Sequence, residues 1–121
     1  MKFITSLVLA LILAGCNATA VMPPPSLVSV ESPVIEPVEA PSPIYPRKAL
    51  ASAVGGWVVV AVDINKDGSI SEVKAVDSSN MNLFADAAVK SAKNWKFAAV
   101  TDVPAEEFPL TRKYKIEFTL Q

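Results

Sequence analysis

The only thiol in the sequence belongs to Cys16, which follows the small residues Ala14 and Gly15 at the end of an apolar run. A thiolate is a soft nucleophile that forms stable covalent bonds, and small neighbours leave room for a modifying enzyme. Lys2 and the apolar residues 3–13 have the charged and hydrophobic regions of a secretory signal. The residues therefore indicate an exported chain whose cysteine is placed for covalent modification.

Residues 13–16 resemble the bacterial lipoprotein signal, in which the cysteine is acylated and becomes the new N-terminus. The resemblance implies lipidation at Cys16 and an anchor that does not span the bilayer. Asn17 is not the Asp that marks inner-membrane retention in enteric bacteria, so the outer membrane is favoured, with the inner membrane as the alternative. Two other interpretations stay open: an uncleaved membrane helix over residues 3–22, since a span takes about 20 residues, and a cysteine that is simply a buried apolar residue.

A second set of residues, Asp63, Asn65, Asp67 and Gly68, has the spacing that begins an EF-hand calcium loop. The twelfth position of such a loop is normally a bidentate Glu, but here it is Lys74, a cation that would repel the ion. We interpret these residues as a hairpin turn, with calcium binding as the alternative.

Composition narrows the classes of function. With 11 basic and 12 acidic residues and a net charge of −1, the sequence indicates no nucleic-acid partner. A single cysteine rules out an internal disulfide, and the absence of histidine removes the commonest general base and metal ligand. The sequence also has no phosphate-binding glycine loop and no nucleophile paired with a base. We expect a protein that is not an enzyme and uses no cofactor or metal.

The sequence divides into three parts: a signal at residues 1–16, a proline-rich linker at residues 17–43, and a small domain at residues 44–121. Proline fixes φ and lacks an N–H, which favours extended polyproline II over a packed core. An extended linker of this length reaches on the order of 80 Å. We expect a semi-rigid spacer between the membrane and the domain.

Periodicity predicts the elements of the domain. Pro46 suits the first position of a short helix, and Gly55 and Gly56 are expected to end it with positive φ. Later, Ser78, Ser79 and Asn80 offer oxygens that could cap a second, amphipathic helix. The predicted order is helix, strand, strand, helix and strand, at residues 45–54, 57–64, 69–77, 82–95 and 113–120.

Short connections then predict an α+β, two-layer sandwich. Its three-stranded antiparallel sheet has the strand order 2-1-3, with two helices on one face. The last strand lies at an edge of this sheet. Lys113 and Lys115 are the kind of residue that protects such an edge from unwanted pairing.

A set of short motifs is spread along the domain, marked by Pro43, Tyr45, Pro46, Gly56, Gly68 and Trp95. With the proline-rich linker, this set resembles the C-terminal domain of TonB proteins over residues 43–121. The resemblance implies a periplasmic domain that binds a short peptide of an outer-membrane receptor, or of another envelope partner, by strand addition. By the same resemblance, the contact residues are Arg112, Lys113, Tyr114, Lys115, Ile116, Glu117 and Phe118, with residues 43–46 nearby.

Three functions remain open at this point. The first is a TonB-type transducer, which would also contact inner-membrane proton-motor proteins. TonB transducers use a histidine in an uncleaved membrane helix for this coupling, and the sequence has no histidine. The second is a lipid-anchored adaptor that binds an envelope partner without transferring energy. The third is a small structural lipoprotein. TonB-like domains also exchange strands, so a homodimer is a further expectation.

Overall fold

The computed structural model describes residues 20–120, which form one sheet covered on one face by helices. The sheet order is β1-β5-β3-β4, with β2 also paired to β5, and every described pairing is antiparallel. The predicted α+β class and the 2-1-3 order of the three long strands are confirmed. In chain order the elements are β1 (Ala20–Val21), β2 (Ser26–Leu27), α1 (Arg47–Ala51), β3 (Gly56–Ile64), β4 (Ile70–Ser78), α2 (Met81–Ala92), a 3₁₀ turn (Ala105–Glu107) and β5 (Leu110–Leu120).

The core lies between the sheet and α2. Alternate residues of a strand point to the same face, so every second residue is buried from Val58 to Ile64 in β3 and from Arg112 to Phe118 in β5. From α2, Phe84, Ala88, Ser91 and Ala92 are buried at the helical spacing seen in the sequence. The strands and the following loop contribute Val58, Val60, Val62, Ile64, Tyr114, Ile116, Phe118, Trp95 and Phe97.

The helix α1 is shorter than predicted and ends differently. Pro46 is its N-cap rather than its first residue. Positive φ occurs at Ala53 (φ 53°), so the prediction that Gly55 and Gly56 provide it is wrong. The reason is that the Val54 N–H donates to the carbonyl of Ala49 (2.8 Å), which closes the helix before the glycines. Gly56 serves close packing instead, because a Cβ there would lie 2.5 Å from the Phe84 ring.

The start of α2 also differs from the prediction. Asn80 is the N-cap, but no side chain caps the helix. Ser79 Oγ instead accepts from the Trp57 N–H (2.9 Å), and Ser78 Oγ donates to the Trp57 carbonyl (2.9 Å). Both serines therefore join the end of β4 to the start of β3.

Residues 20–43, called the N-terminal arm below, pack along the domain instead of extending away from it. The prediction that the last strand lies at an edge of the sheet is wrong, because β1 and β2 of the arm pair with the outer side of β5. No helix within residues 20–120 is long and apolar enough to cross a bilayer. The predicted signal and Cys16 lie outside the described residues.

Candidate peptide-binding edge

The residues predicted to contact a partner fall into two groups because they lie on one strand. Side chains at even positions point towards the helices and are buried, whereas those at odd positions point to the open face of the sheet. The buried group is Arg112, Tyr114, Ile116 and Phe118, and the open-face group is Lys113, Lys115 and Glu117.

The backbone groups of β5 alternate in the same way. The Lys113 N–H donates to Ser29 Oγ (2.6 Å), and its carbonyl accepts from the Val28 N–H (2.8 Å). The backbone of Lys113 therefore faces away from β3. Since alternate residues of a strand present their N–H and C=O groups to the same side, Lys115 and Glu117 face this outer edge too. These three residues provide the groups that an added strand can pair with.

The open face beside this edge combines an aromatic ring with charges. Lys115 Nζ lies 5.2 Å from the centroid of the half-buried Trp57 ring and 3.9 Å from Glu117 Oε1. Both charged side chains are about two-fifths exposed, at 39% and 44%, so their ion pair contributes little to stability.

Arg112 is placed differently from the other charged residues of β5. Its side chain is 4% exposed, and its Nε and Nη2 atoms donate to the Pro33 carbonyl at 3.2 and 3.1 Å. Nη1 donates to Glu31 Oε2 (3.2 Å) and to the Thr111 carbonyl (2.9 Å). The guanidinium group thus holds the N-terminal arm and is not presented to solvent.

Tyr114 also holds the arm. Its hydroxyl donates to the carbonyl of Ile35 (2.6 Å), and its ring stands perpendicular to that of Trp95, with centroids 5.3 Å apart. Burial raises the pKa of the Tyr114 hydroxyl far above its usual value. The group therefore stays protonated and keeps donating across the physiological range.

The motif residues outside β5 support the fold. The Tyr45 hydroxyl donates to the Val54 carbonyl (2.6 Å), and its ring packs edge-on against Phe118. Gly68 adopts φ 90° in the hairpin turn, where a side chain would collide with the Phe97 carbonyl oxygen. The remaining motif residues are Pro43, Pro46, Gly56 and Trp95, of which Trp95 is buried and Pro43 is half-buried.

The EF-hand-like residues form the turn between β3 and β4. Asp67 accepts from the Oγ and the N–H of Ser69, and these hydrogen bonds lower its pKa. Asp63 accepts from the Thr111 hydroxyl. Across residues 20–120, no group of three or more acidic, cysteine or histidine side chains is arranged to hold a metal ion.

Sequence reasoning missed the arm residues that contact β5. Val28 and Ser29 bind through the backbone and a hydroxyl, and Ile35 is buried to 7% exposure inside a proline-rich stretch. Ile35 is one of several apolar residues in this stretch, so no signal in the sequence singles it out as buried.

A sheet edge that accepts a strand from a flanking segment is the geometry used by domains that bind extended peptides through strand addition. Residues 41–120 match the family model described as "Gram-negative bacterial TonB protein C-terminal". The chain belongs to the TonB C-terminal family.

The matches to similar proteins cover only part of the length of those proteins. Protein TonB of Yersinia enterocolitica is 32% identical over 79 residues, which is 65% of this chain and 30% of that protein. Protein TonB of Xanthomonas campestris pv. campestris (strain B100) is 36% identical over 59 residues, which is 49% of this chain and 26% of that protein. The matched region is thus less than a third of the length of these relatives.

The solution NMR structure of the Pseudomonas aeruginosa TonB CTD has a similar fold. Its TM-score is 0.53 at 24% identity, and the match covers 77% of this chain and 92% of that one. This likeness supports the fold.

Proposed function

We propose that this chain is a membrane-anchored, periplasmic binding module that holds an extended peptide of an outer-membrane receptor, or of another envelope partner, by strand addition at β5. The observation that carries the proposal is the pairing of the N-terminal arm with this edge. Ser26 and Leu27 lie opposite Lys115 and Tyr114 in an antiparallel ladder. The edge is thus able to take an added strand.

Backbone pairing provides affinity in this mode of binding, and neighbouring side chains provide selectivity. The outer N–H and C=O groups of Lys113, Lys115 and Glu117 would pair with the peptide. Trp57 and the two lysines on the open face would contact its side chains. This role involves no catalytic step.

Proline at position 115 tests the edge. Lys115→Pro removes one outward N–H and leaves the hydrogen bonds to β3 intact, since those belong to the even residues. The matched control is Lys115→Ala, which removes the side chain and keeps the N–H. Fluorescence anisotropy would measure binding of labelled peptides from the periplasmic N-termini of the organism's outer-membrane receptors.

We expect Lys115→Pro to abolish binding and Lys115→Ala to retain most of it. Circular dichroism would confirm that both variants are folded. Unchanged affinity in a folded Lys115→Pro variant would contradict strand addition at β5.

We further propose that Cys16 is acylated and begins the mature chain. The expected result is an intact mass, from the membrane fraction, that corresponds to a chain starting at Cys16 with added acyl groups. A full-length unmodified chain would contradict this proposal and support an uncleaved anchor.

A second candidate function is a lipid-anchored adaptor that transfers no energy. The absence of histidine from the sequence favours it, because proton-driven coupling through the membrane anchor is expected to need one. Separation of inner and outer membranes on a density gradient distinguishes the two functions. Acylated chain in the outer membrane supports the adaptor, whereas chain in the inner membrane, cross-linked to proton-motor proteins, supports the transducer.

A further inference from the structure

The N-terminal arm has two parts that are held very differently. Its inner part, residues 31–41, is tied to several elements of the domain. Arg112 binds the carbonyl of Pro33, and the Tyr114 hydroxyl binds that of Ile35. Further along, Glu39 forms a bridge with Lys96. The buried side chains of Arg112 and Tyr114 and a backbone bridge therefore hold the inner part, which belongs to the fold.

The outer part, residues 20–29, is held by backbone pairing with β5 and by Met22 and Leu27, which are only partly buried against the core. None of its residues whose side chains are described is buried, and Val28 is 47% exposed. Its two ladders each involve two residues, Ala20–Val21 and Ser26–Leu27. Such short strands at a sheet edge have little to hold them in place.

Three consecutive prolines separate these two ladders. Pro23, Pro24 and Pro25 lack an N–H, so they donate no hydrogen bond to the part of β5 between Lys115 and Thr119. The outward carbonyl of Glu117 lies in that part. Beneath the prolines is a cleft lined by Pro41, Pro43, Ser91, Trp95 and Ile116. The outer part thus pairs with β5 at its two ends and bridges a gap between them.

The outer part covers the same backbone groups that the proposed function assigns to a partner. Val28 and Ser29 already engage Lys113, and Ser26 lies opposite Lys115. One edge cannot pair with two strands at once, so this strand and a partner peptide exclude each other. A strand tethered in the same chain competes at an effective concentration on the order of millimolar.

We infer that residues 20–29 are a displaceable latch on the peptide-binding edge, and that a partner binds by replacing them while residues 31–41 stay docked. The inference rests on the proposed function for the identity of the partner, but the latch itself can be tested without one. The favoured partner is an extended peptide with an N–H opposite Glu117, where the latch has only prolines.

Proline at position 28 weakens the latch without touching β5. Val28→Pro removes the N–H that donates to the Lys113 carbonyl, and the extended Leu27 before it is compatible with a following proline. The matched control is Val30→Pro, since Val30 is 97% exposed in the same arm. Ser29→Ala, which removes the oxygen that accepts from the Lys113 N–H, is a second weakening variant.

The probe is a dye-labelled synthetic peptide that copies residues 20–31, measured by anisotropy against the otherwise full chain. Loss of one hydrogen bond should open the latch enough to tighten probe binding about fivefold in Val28→Pro. Ser29→Ala should act in the same direction, and Val30→Pro should match the unmodified chain. A second probe with threonine in place of the three prolines should bind more tightly than the first.

Equal probe affinity in Val28→Pro and the unmodified chain, with both folded, would overturn the latch. So would amide hydrogen exchange at Lys115 that is as fast in the unmodified chain as in Val28→Pro. Receptor peptides that bind both chains equally would refute the latch and leave the proposed function standing. Conversely, tighter binding of the copied peptide to Val28→Pro, with no receptor peptide bound by any variant, would support the latch and refute the proposed function.

Discussion

Replacing Arg112 with methionine tests what holds the N-terminal arm to the domain. Methionine fills a similar apolar volume and removes every hydrogen bond of the guanidinium group. Those bonds reach two different kinds of acceptor, the Pro33 and Thr111 carbonyls and the Glu31 carboxylate. The two kinds are expected to contribute unequally to stability.

The difference follows from exposure. The Glu31 side chain is 64% exposed while that of Arg112 is only 4% exposed, so water screens the ion pair from one side. Such a pair contributes about 0–1 kcal/mol. Hydrogen bonds from a charged donor contribute about 1.5–3 kcal/mol each and are not additive. We therefore expect a loss of about 3 kcal/mol in the free energy of unfolding for Arg112→Met and of less than about 1 kcal/mol for Glu31→Gln.

Urea unfolding followed by tryptophan fluorescence measures both losses, because Trp95 lies in the core beside the arm. Arg112→Lys is the control that keeps the charge but not the forked geometry, and it should fall between the other two variants. Equal losses for Glu31→Gln and Arg112→Met would show that the ion pair dominates, which contradicts the reasoning. Unchanged stability of Arg112→Met would show that the arm is not held there at all.

Two other perturbations act on the domain itself. Gly68→Ala should lower the free energy of unfolding by about 1–3 kcal/mol, measured by urea unfolding. The reason is that residue 68 has φ 90° and that a side chain there would collide with the Phe97 carbonyl. Unchanged stability would contradict this expectation. Burial raises the pKa values of Tyr45 and Tyr114. The folded state therefore retains protons that the unfolded state loses above about pH 10, and the free energy of unfolding should fall as the pH rises through that value. Tyrosinate absorbance should therefore appear together with the loss of near-ultraviolet circular dichroism, and its appearance in a folded chain near pH 10 would refute the prediction.

The elements with regular periodicity could be predicted from the sequence. In β5, alternation from Tyr114 to Leu120 reflects burial of one face, and in α2 the spacing of Phe84, Ala88 and Ala92 reflects packing on the sheet. Boundaries moved by a few residues because hydrogen bonds at the ends of elements, such as that from Val54 to Ala49, leave no periodic trace.

The candidate site could be predicted only in part. The alternating pattern predicted the strand itself, but not that Arg112 turns towards the arm or that another strand pairs with its outer side. The arm binds through backbone groups, as at Val28 and at the bridge between Glu39 and Lys96. Backbone groups are nearly the same in every residue. Composition therefore revealed the proline-rich stretch but gave no sign that it docks on the domain.

The split between the two parts of the arm has a mechanical consequence. Residue 20 is the end of the described chain nearest the proposed anchor at Cys16, so tension applied through that anchor would load β1 first and β2 next. Each ladder breaks separately because the prolines between them donate no hydrogen bonds. Unpairing of the outer part would therefore release about 30 Å of chain before any load reaches the contacts of Arg112. If Cys16 is anchored as proposed, a pull on it would extend the reach of the domain while the core stays folded.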